Sequence, residues 1–323
     1  MTVNEEDKVI GKDIHRYSFS RFKTFHICPR KHYYEYVEQI PKGEERATLP
    51  GSLFHQAVAA ILTDKDPKPF FEEFSKACMS GFLELEPDLL QDVVQNYLSY
   101  YREDFEEERR LMVEETMEEK LDEDNYIVVV ADNVYERDGR IYLRDMKTTV
   151  KSLKYSFEDV KVHQQLFLYV PYVEEKLGVK LDAIQIDEIK LAKIGEVPLT
   201  NSGKPSSDRR KLETVPYEKY YDYLCDLGLE KESMYQDVLE WLKQRGHPLF
   251  NRITYQILDP QIIDANIVDM YDTYNVMKNT EIKYRVRGPL CNWCPFKELC
   301  ELDMLNPSDI DRDVIKNKII SNK

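Results

Sequence analysis

Cys291, Cys294 and Cys300 form a C-x2-C-x5-C run near the C-terminus, and Cys28 stands more than two hundred residues earlier, also just before a proline. Thiolates two residues apart can bind one soft metal centre without backbone strain, and a third sulfur from the next turn extends the site. The fourth ligand has to come from elsewhere, and Cys28 is the best candidate. A clip joining such distant segments removes loop-closure entropy from the unfolded chain, on the order of 5 kcal/mol before strain. Zinc and an iron–sulfur cluster both fit these ligands. The bland alternative is three surface cysteines in a tight loop beside an unrelated buried one. Cys78 and Cys225 have no partner spacing and read as ordinary helix residues.

A second constellation is built from carboxylates. The run Y-I-V-V-V-A-D-N-V, then E-R-D-G-R, then I-Y-L-R-D-M-K-T-T is the clearest β signal in the chain. Asp138-Gly139 is a type I′ turn signal, because both central positions want positive φ. That turn fixes the register: Arg137 faces Arg140, Tyr135 faces Tyr142, and Asp132 faces Asp145. Directly opposed carboxylates repel unless a proton, a basic side chain or a cation lies between them. The period of two puts Lys147 on the face of Asp145, while Met146 points into the other layer. Two aspartates and a lysine on one face describe a metal site with a built-in cation; a slipped register or a solvated ladder is the alternative.

These groups need elements to hold them. The chain of 323 residues is 42% hydrophobic with only 11 Gly, enough for one large domain or two ordinary ones. No apolar run is long enough to span a membrane, the N-terminus lacks a signal-peptide pattern, and a cytoplasmic location is expected. The coarse reading gives a tail over 1–16 and a helical segment over 18–36. Helices opened by Pro50-Gly51 and over about 68–82 and 87–121 follow. The hairpin then leads to a helix over about 157–177, a strand A-I-Q-I-D-E-I-K-L-A, helices over about 216–245 and a charged tail over 306–323. No phosphate-binding loop is present. The net charge of −15 argues against a polyanionic partner, but its distribution softens this. Residues 103–124 carry twelve acidic side chains against Arg109, Arg110 and Lys120 and read as the solvated face of a long helix. Basic residues collect elsewhere, at Arg21, Lys23 and Arg30 and at Lys151 and Lys154, as candidate DNA-binding strips.

The arrangement Asp132…Asp145-Met146-Lys147 resembles the core of the PD-(D/E)XK nuclease superfamily, and Asp-Met-Lys-Thr-Thr is similar to the D-x-K-T signature of its RecB-like branch. Further motifs match in order. Y-S-F-S-R-F-K-T-F-H-I-C-P-R-K-H-Y-Y looks like the opening of that branch, Gly51-Ser52-Leu53-Phe54-His55 resembles its G-x-x-x-H motif, and Gln165-Leu166-Phe167-Leu168-Tyr169 its Q-x-x-x-Y motif. The C-x2-C-x5-C end is similar to the iron–sulfur clasp of AddB-type and CRISPR-adaptation nucleases. Val129 stands where the family often has glycine three residues before the first aspartate, a departure bearing on substrate approach rather than on the ligands.

The resemblance implies an α/β fold, a restriction-endonuclease-like core with a small mixed sheet over about 126–195. A helical N-terminal half and an Fe–S clasp from Cys28 plus 288–301 would complete a single domain over 17–305. It implies a 4Fe–4S cluster on Cys28, Cys291, Cys294 and Cys300, with Trp293 and Phe296 shielding it. Mg²⁺ or Mn²⁺ would be held by His55, Asp132, Asp145 and the Met146 carbonyl, with Lys147, Gln165 and Tyr169 positioning water or phosphate. The activity implied is a DNA exonuclease acting on single-stranded ends in recombination, repair or processing, alone or with a helicase, recombination or CRISPR-adaptation partner and without a membrane. The alternative is a non-catalytic DNA-binding or assembly subunit.

Overall fold

The computed structural model describes residues 15–41, 46, 48–153, 155–156, 164–257, 260–278, 283–305 and 308–321. Six strands form one mixed sheet: β1 His15–Ser18, β2 Arg109–Lys120, β3 Asn125–Arg137, β4 Arg140–Thr149, β5 Ala183–Lys190 and β6 Phe250–Gln256. The order runs β1-β3-β4-β5-β6, with β2 pairing β3 as well. β1 lies parallel to β3 and β4 to β5, and the other pairs are antiparallel.

The hairpin register is as expected. Asp138 and Gly139 both take positive φ, 52° and 72°, Arg137 pairs with Arg140, and Tyr135 pairs with Tyr142. The two tyrosine rings stack at 5.0 Å and 7°. The β3–β4 ladder ends at Asn133–Arg144, one step short of Asp132 and Asp145. Beyond that step β4 leaves β3, and β1 takes the vacated edge over residues 125–128. The sheet therefore opens at the two aspartates.

The expected long acidic helix does not exist. After α1 Phe19–Ile27, α2 Pro29–His32, α3 Leu49–Leu62, α4 Lys68–Met79 and α5 Leu89–Tyr100, only the short α6 Arg102–Glu107 is helical, and β2 follows at once. Met112 and Met117 are buried against β3 and outweigh the local helix propensity of the glutamates. Of the expected helix over 157–177, α7 is Gln164–Leu177; residues 157–163 lie outside the described residues. The remaining helices are α8 Tyr217–Asp226, α9 Ser233–Arg245, α10 Gln261–Met277, α11 Lys297–Leu302 and α12 Asp309–Ser321. The last was expected as a charged tail. Instead Ile315 and Ile319 pack against Tyr34, Phe296 and Leu299, and Arg312 bonds Glu38 at 2.7 Å.

Each sheet face carries its own core. Leu166, Phe167, Val170 and Val173 of α7 cover Ile127, Leu143, Ile184 and Ile186. On the other face Leu53 and Phe54 of α3 and Val93, Val94 and Tyr97 of α5 cover Met146, Ile189 and Phe250. That second face also buries charge. Arg144, 1% exposed, chelates Glu108 and donates to Gln185 Oε1 at 2.7 Å. It stands 3.4 Å from Asp187, which accepts from Arg252 Nε at 2.7 Å and from Tyr97 Oη at 2.5 Å. Burial would raise the Asp187 carboxyl, and Arg252 and Arg144 hold it below the ordinary range instead.

Removing one member of such a network leaves uncompensated charge in the core. Arg144→Met is expected to lower unfolding free energy by about 3–5 kcal/mol in urea titrations, and Arg144→Lys restores little because an ammonium cannot chelate Glu108 and reach Gln185 together. A second test uses pH. His247 stacks on Phe250 at 4.4 Å and accepts from Leu249 N–H at 3.2 Å; burial and then Arg245 push its pKa from 6.5 to about 4. A histidine depressed on folding contributes stability above its unfolded pKa, and that contribution is lost as pH falls through the window from 6.5 to about 4. Melting temperature is expected to decline across that window for the wild type and to decline less steeply in His247→Asn, which keeps an acceptor for Leu249, the remainder coming from His32, which burial and Arg21 also depress to about 4.

Candidate active site

Glu114 and Asp132 sit where two strands lose their alternation. Met112 and Met117 of β2 are an odd number of residues apart, as are Ala131 and Val134 of β3, yet all four lie in the same core cluster. Regular strands would send each pair to opposite faces. The register brackets the irregularity: Val113 pairs with Asn133 and Glu115 with Ala131. Glu114, φ 48°, and Asp132 fall between those pairs. Positive φ at a glutamate is strained and persists only when its surroundings hold it.

The two side chains meet His55 from α3. His55 Nδ1 is 3.3 Å from Asp132 Oδ2 and 3.4 Å from Glu114 Oε1, and ligand atoms of all three lie within 4.8 Å of one another. One imidazole proton cannot serve two carboxylates. Glu114 Oε1 is buried without a well-aligned hydrogen bond, as a ligand atom lacking its ion would be. Burial works to lower the His55 pKa, and Asp132 with Glu114 raises it to about 10. Two carboxylates and an imidazole fit a divalent cation of the Mg²⁺ or Mn²⁺ kind. Glu114 was missed in the sequence because a glutamate-rich stretch read as a solvated helix hides a strand residue of special backbone.

α3 approaches β4 closely enough to explain Gly51. A Cβ there would lie 2.7 Å from Thr148 Oγ1, so glycine lets the helix settle beside the strand and brings His55, one turn on, to Asp132. Asp132 Oδ2 also accepts from Met146 N–H at 2.7 Å, joining the parted strands through a side chain. The Met146 side chain points into the opposite core, as expected.

Asp145 stands outside the His55–Glu114–Asp132 set, because its carboxylate is turned onto Lys147 Nζ at 2.8 Å. Lys147 Nζ also donates to Gln165 Oε1 at 3.0 Å, and Gln165 Nε2 donates to Tyr169 Oη at 3.1 Å. Burial would lower the Lys147 pKa, and Asp145 with Asp132 lifts it above the ordinary value. Burial pushes the Tyr169 phenol up to about 12. Asp145, Lys147, Gln165 and Tyr169 thus form one hydrogen-bonded row beside the three-residue cluster. Beside Lys147, Glu188 accepts from Tyr155 N–H at 3.0 Å, while Asn251 donates to the Tyr155 carbonyl at 2.9 Å, which pins the segment after β4 to the sheet.

The candidate DNA-binding residues fare unequally. Arg21 is only 8% exposed: it lies 3.9 Å from the Tyr17 ring and donates to His32 Nε2 at 3.3 Å and to the Arg16 carbonyl at 3.0 Å. A guanidinium buried against Tyr17 and tied to His32 and Arg16 is turned away from a passing phosphate, and that expectation is corrected. Arg30 is half-buried and 3.7 Å from Asp303. Lys23 and Lys151 are exposed, and Lys154 lies outside the described residues. Val129 is buried in the main core, away from any approach.

The two cysteine segments are neighbours. Arg30 N–H donates to the Tyr284 carbonyl at 3.0 Å, Val286 N–H points to Cys28 Sγ at 3.5 Å, and Cys291 Sγ points back to the Val286 carbonyl at 3.7 Å. Cys294 and Cys300 are raised by burial and each feels the charge of Cys28. Among the described residues no three thiols lie within 4.8 Å of one another. Phe296 is buried as expected, but Trp293 is 86% exposed and shields nothing.

No curated protein matches the chain. A family model, the PD-(D/E)XK nuclease superfamily, matches residues 16–301, and its span takes in the opened hairpin, His55, the Gln165–Tyr169 turn and Cys28, Cys291, Cys294 and Cys300. The chain belongs to the PD-(D/E)XK superfamily of metal-dependent nucleases.

Proposed function

We propose that the protein is a DNA exonuclease acting on single-stranded ends in recombination, repair or processing. The reading is carried by one observation: His55, Glu114 and Asp132 converge beside a lysine held by Asp145 and Gln165. A divalent ion bound there supplies Lewis-acid activation of water and neutralises charge on the attacked phosphate. His55, Glu114 and Asp132 are its proposed ligands, joined by Asp145 and the Met146 carbonyl. Lys147, fixed from two sides, presents its remaining N–H to a phosphate oxygen where negative charge accumulates. Tyr169, already accepting from Gln165, keeps its own hydrogen to donate outward. The strand preference rests on likeness to the RecB-like branch. A non-catalytic subunit would have no use for a strained glutamate facing two other ligands.

The test is hydrolysis of end-labelled single- and double-stranded DNA with Mn²⁺. Asp132→Asn, Asp145→Asn and Lys147→Met are each expected to lower cleavage about 100-fold or more with unchanged circular dichroism. Glu114→Gln is expected to lower cleavage as well, with unchanged circular dichroism. Near-wild-type cleavage by both aspartate variants places the chemistry elsewhere.

The same reading assigns a structural 4Fe–4S cluster to Cys28, Cys291, Cys294 and Cys300. The choice of an iron–sulfur centre over zinc rests on likeness to the RecB-like branch. Anaerobically purified protein is expected to be brown with about four irons per chain. Cys28→Ser is expected to lose the iron and to melt lower. Stoichiometric zinc without iron overturns the assignment.

A further inference from the structure

Residues 283–297, K-Y-R-V-R-G-P-L-C-N-W-C-P-F-K, carry Lys283, Arg285, Arg287 and Lys297 and no acidic residue, in a chain of net charge −15. Some exposed cations elsewhere are compensated, Lys193 by Glu86 and Asp88, Lys219 by Glu196 and Lys318 by Glu298. Among the described residues no carboxylate pairs with any of these four. Lys283 lies 4.6 Å over the Tyr33 ring, and Arg287 reaches only Met304 Sδ at 3.3 Å. Two aromatic rings stand among them in solvent, Trp293 at 86% and Tyr284 at 63% exposure. The other tryptophan, Trp241, packs beneath Arg245 at 4.9 Å. An indole left in water forgoes the burial that normally accounts for its presence.

The segment is held rather than loose. Tyr284 is tied to Arg30 by its carbonyl, Val286 to Cys28, and Cys294 N–H closes on the Cys291 carbonyl at the end of the turn that carries Trp293. Uncompensated cations interleaved with exposed aromatic rings match the chemistry of a single polynucleotide strand, whose phosphates attract the cations and whose bases stack on the rings. A duplex keeps its bases stacked on one another and offers the indole nothing.

We infer that residues 283–297 form a second contact for single-stranded DNA, separate from the catalytic groups, in which Trp293 stacks on a base while Lys283, Arg285 and Arg287 follow the backbone. The inference rests on the nuclease reading for its choice of polymer. Anisotropy of labelled dT20 with anaerobically purified full-length protein in EDTA tests it. Trp293→Ala is expected to weaken binding about tenfold, since stacking of one base is worth roughly 1–3 kcal/mol, and Trp293→Phe to recover most of the loss. An abasic strand of equal length is expected to bind both proteins alike. Arg285→Ala with Arg287→Ala is expected to flatten the log–log salt slope by about 1.4, near 0.7 per phosphate. With Mn²⁺, Trp293→Ala is expected to hydrolyse bis(p-nitrophenyl) phosphate as wild type does, because so small a diester needs no second contact. An rU20 competitor equal to dT20 supports recognition of a strand irrespective of its sugar, and a weaker one supports DNA.

Unchanged dT20 binding by Trp293→Ala overturns the inference and leaves the nuclease reading standing if hydrolysis proceeds. The tenfold loss in a protein that hydrolyses neither substrate keeps the surface and overturns the nuclease reading. An equal loss on the abasic strand overturns stacking. No binding of dT20 by wild type at low salt overturns the surface in favour of an acidic protein partner.

Discussion

The structure turns on the parting of β3 and β4. A sheet could pair Asp132 with Asp145 only by setting two carboxylates face to face. The ladder stops one residue short of that pair. Beyond it each acid finds a separate partner: Asp132 takes the Met146 N–H and the His55 ring, and Asp145 takes Lys147. The backbone groups that pairing would have used are exchanged for side-chain contacts, and the gap between the strands becomes the site. Opposite it, the strained Glu114 adds a third acid from β2. Such crowding is unfavourable without a cation and favourable with one.

An opened sheet needs support on its other face. Arg144 neighbours Asp145 in the chain but points the opposite way, into the pocket of Glu108, Gln185 and Asp187. It anchors β4 to α6 and β5 at the residue where β4 abandons β3. α3 adds the second support, since its glycine lies against Thr148, the residue after Lys147. The charge network at Arg144 and the close helix contact at Thr148 hold β4 on either side of Asp145, Met146 and Lys147.

What the sequence made legible follows from how local each signal is. Asp138-Gly139 determined the hairpin register because turn geometry is set by two residues. The row from Lys147 through Gln165 to Tyr169 was legible once the hairpin and the helix were placed. β2 was not, because its glutamates favour helix locally and its burial of Met112 and Met117 depends on β3, a tertiary partner that periodicity cannot see. Glu114 disappeared with it. β1 is four residues long and β6 reads F-N-R-I-T-Y-Q, with polar side chains on both faces, so neither offers a run long enough to recognise. Arg21 was misjudged because clustering in sequence says nothing of whether a guanidinium faces water or Tyr17.

Net charge was the least informative number. An acidic total suggests repulsion from a polyanion, yet the charges are segregated by element. Several of the acids on β2 are neutralised in place, Glu118 by Arg16 and Glu115 by Lys176, and those around Arg144 are matched inside the core. Surface potential at contact range is set by charges within roughly one Debye length, about 8 Å at physiological salt, so distant glutamates barely reach the stretch 283–297. That stretch is adjacent to Cys28 only because the chain ends are brought together there. The contact that brings residues 283–297 against Cys28 also gathers Lys283, Arg285 and Arg287 into one stretch of surface beside the four cysteines, so a chain that failed to close this corner would lose both groupings at once.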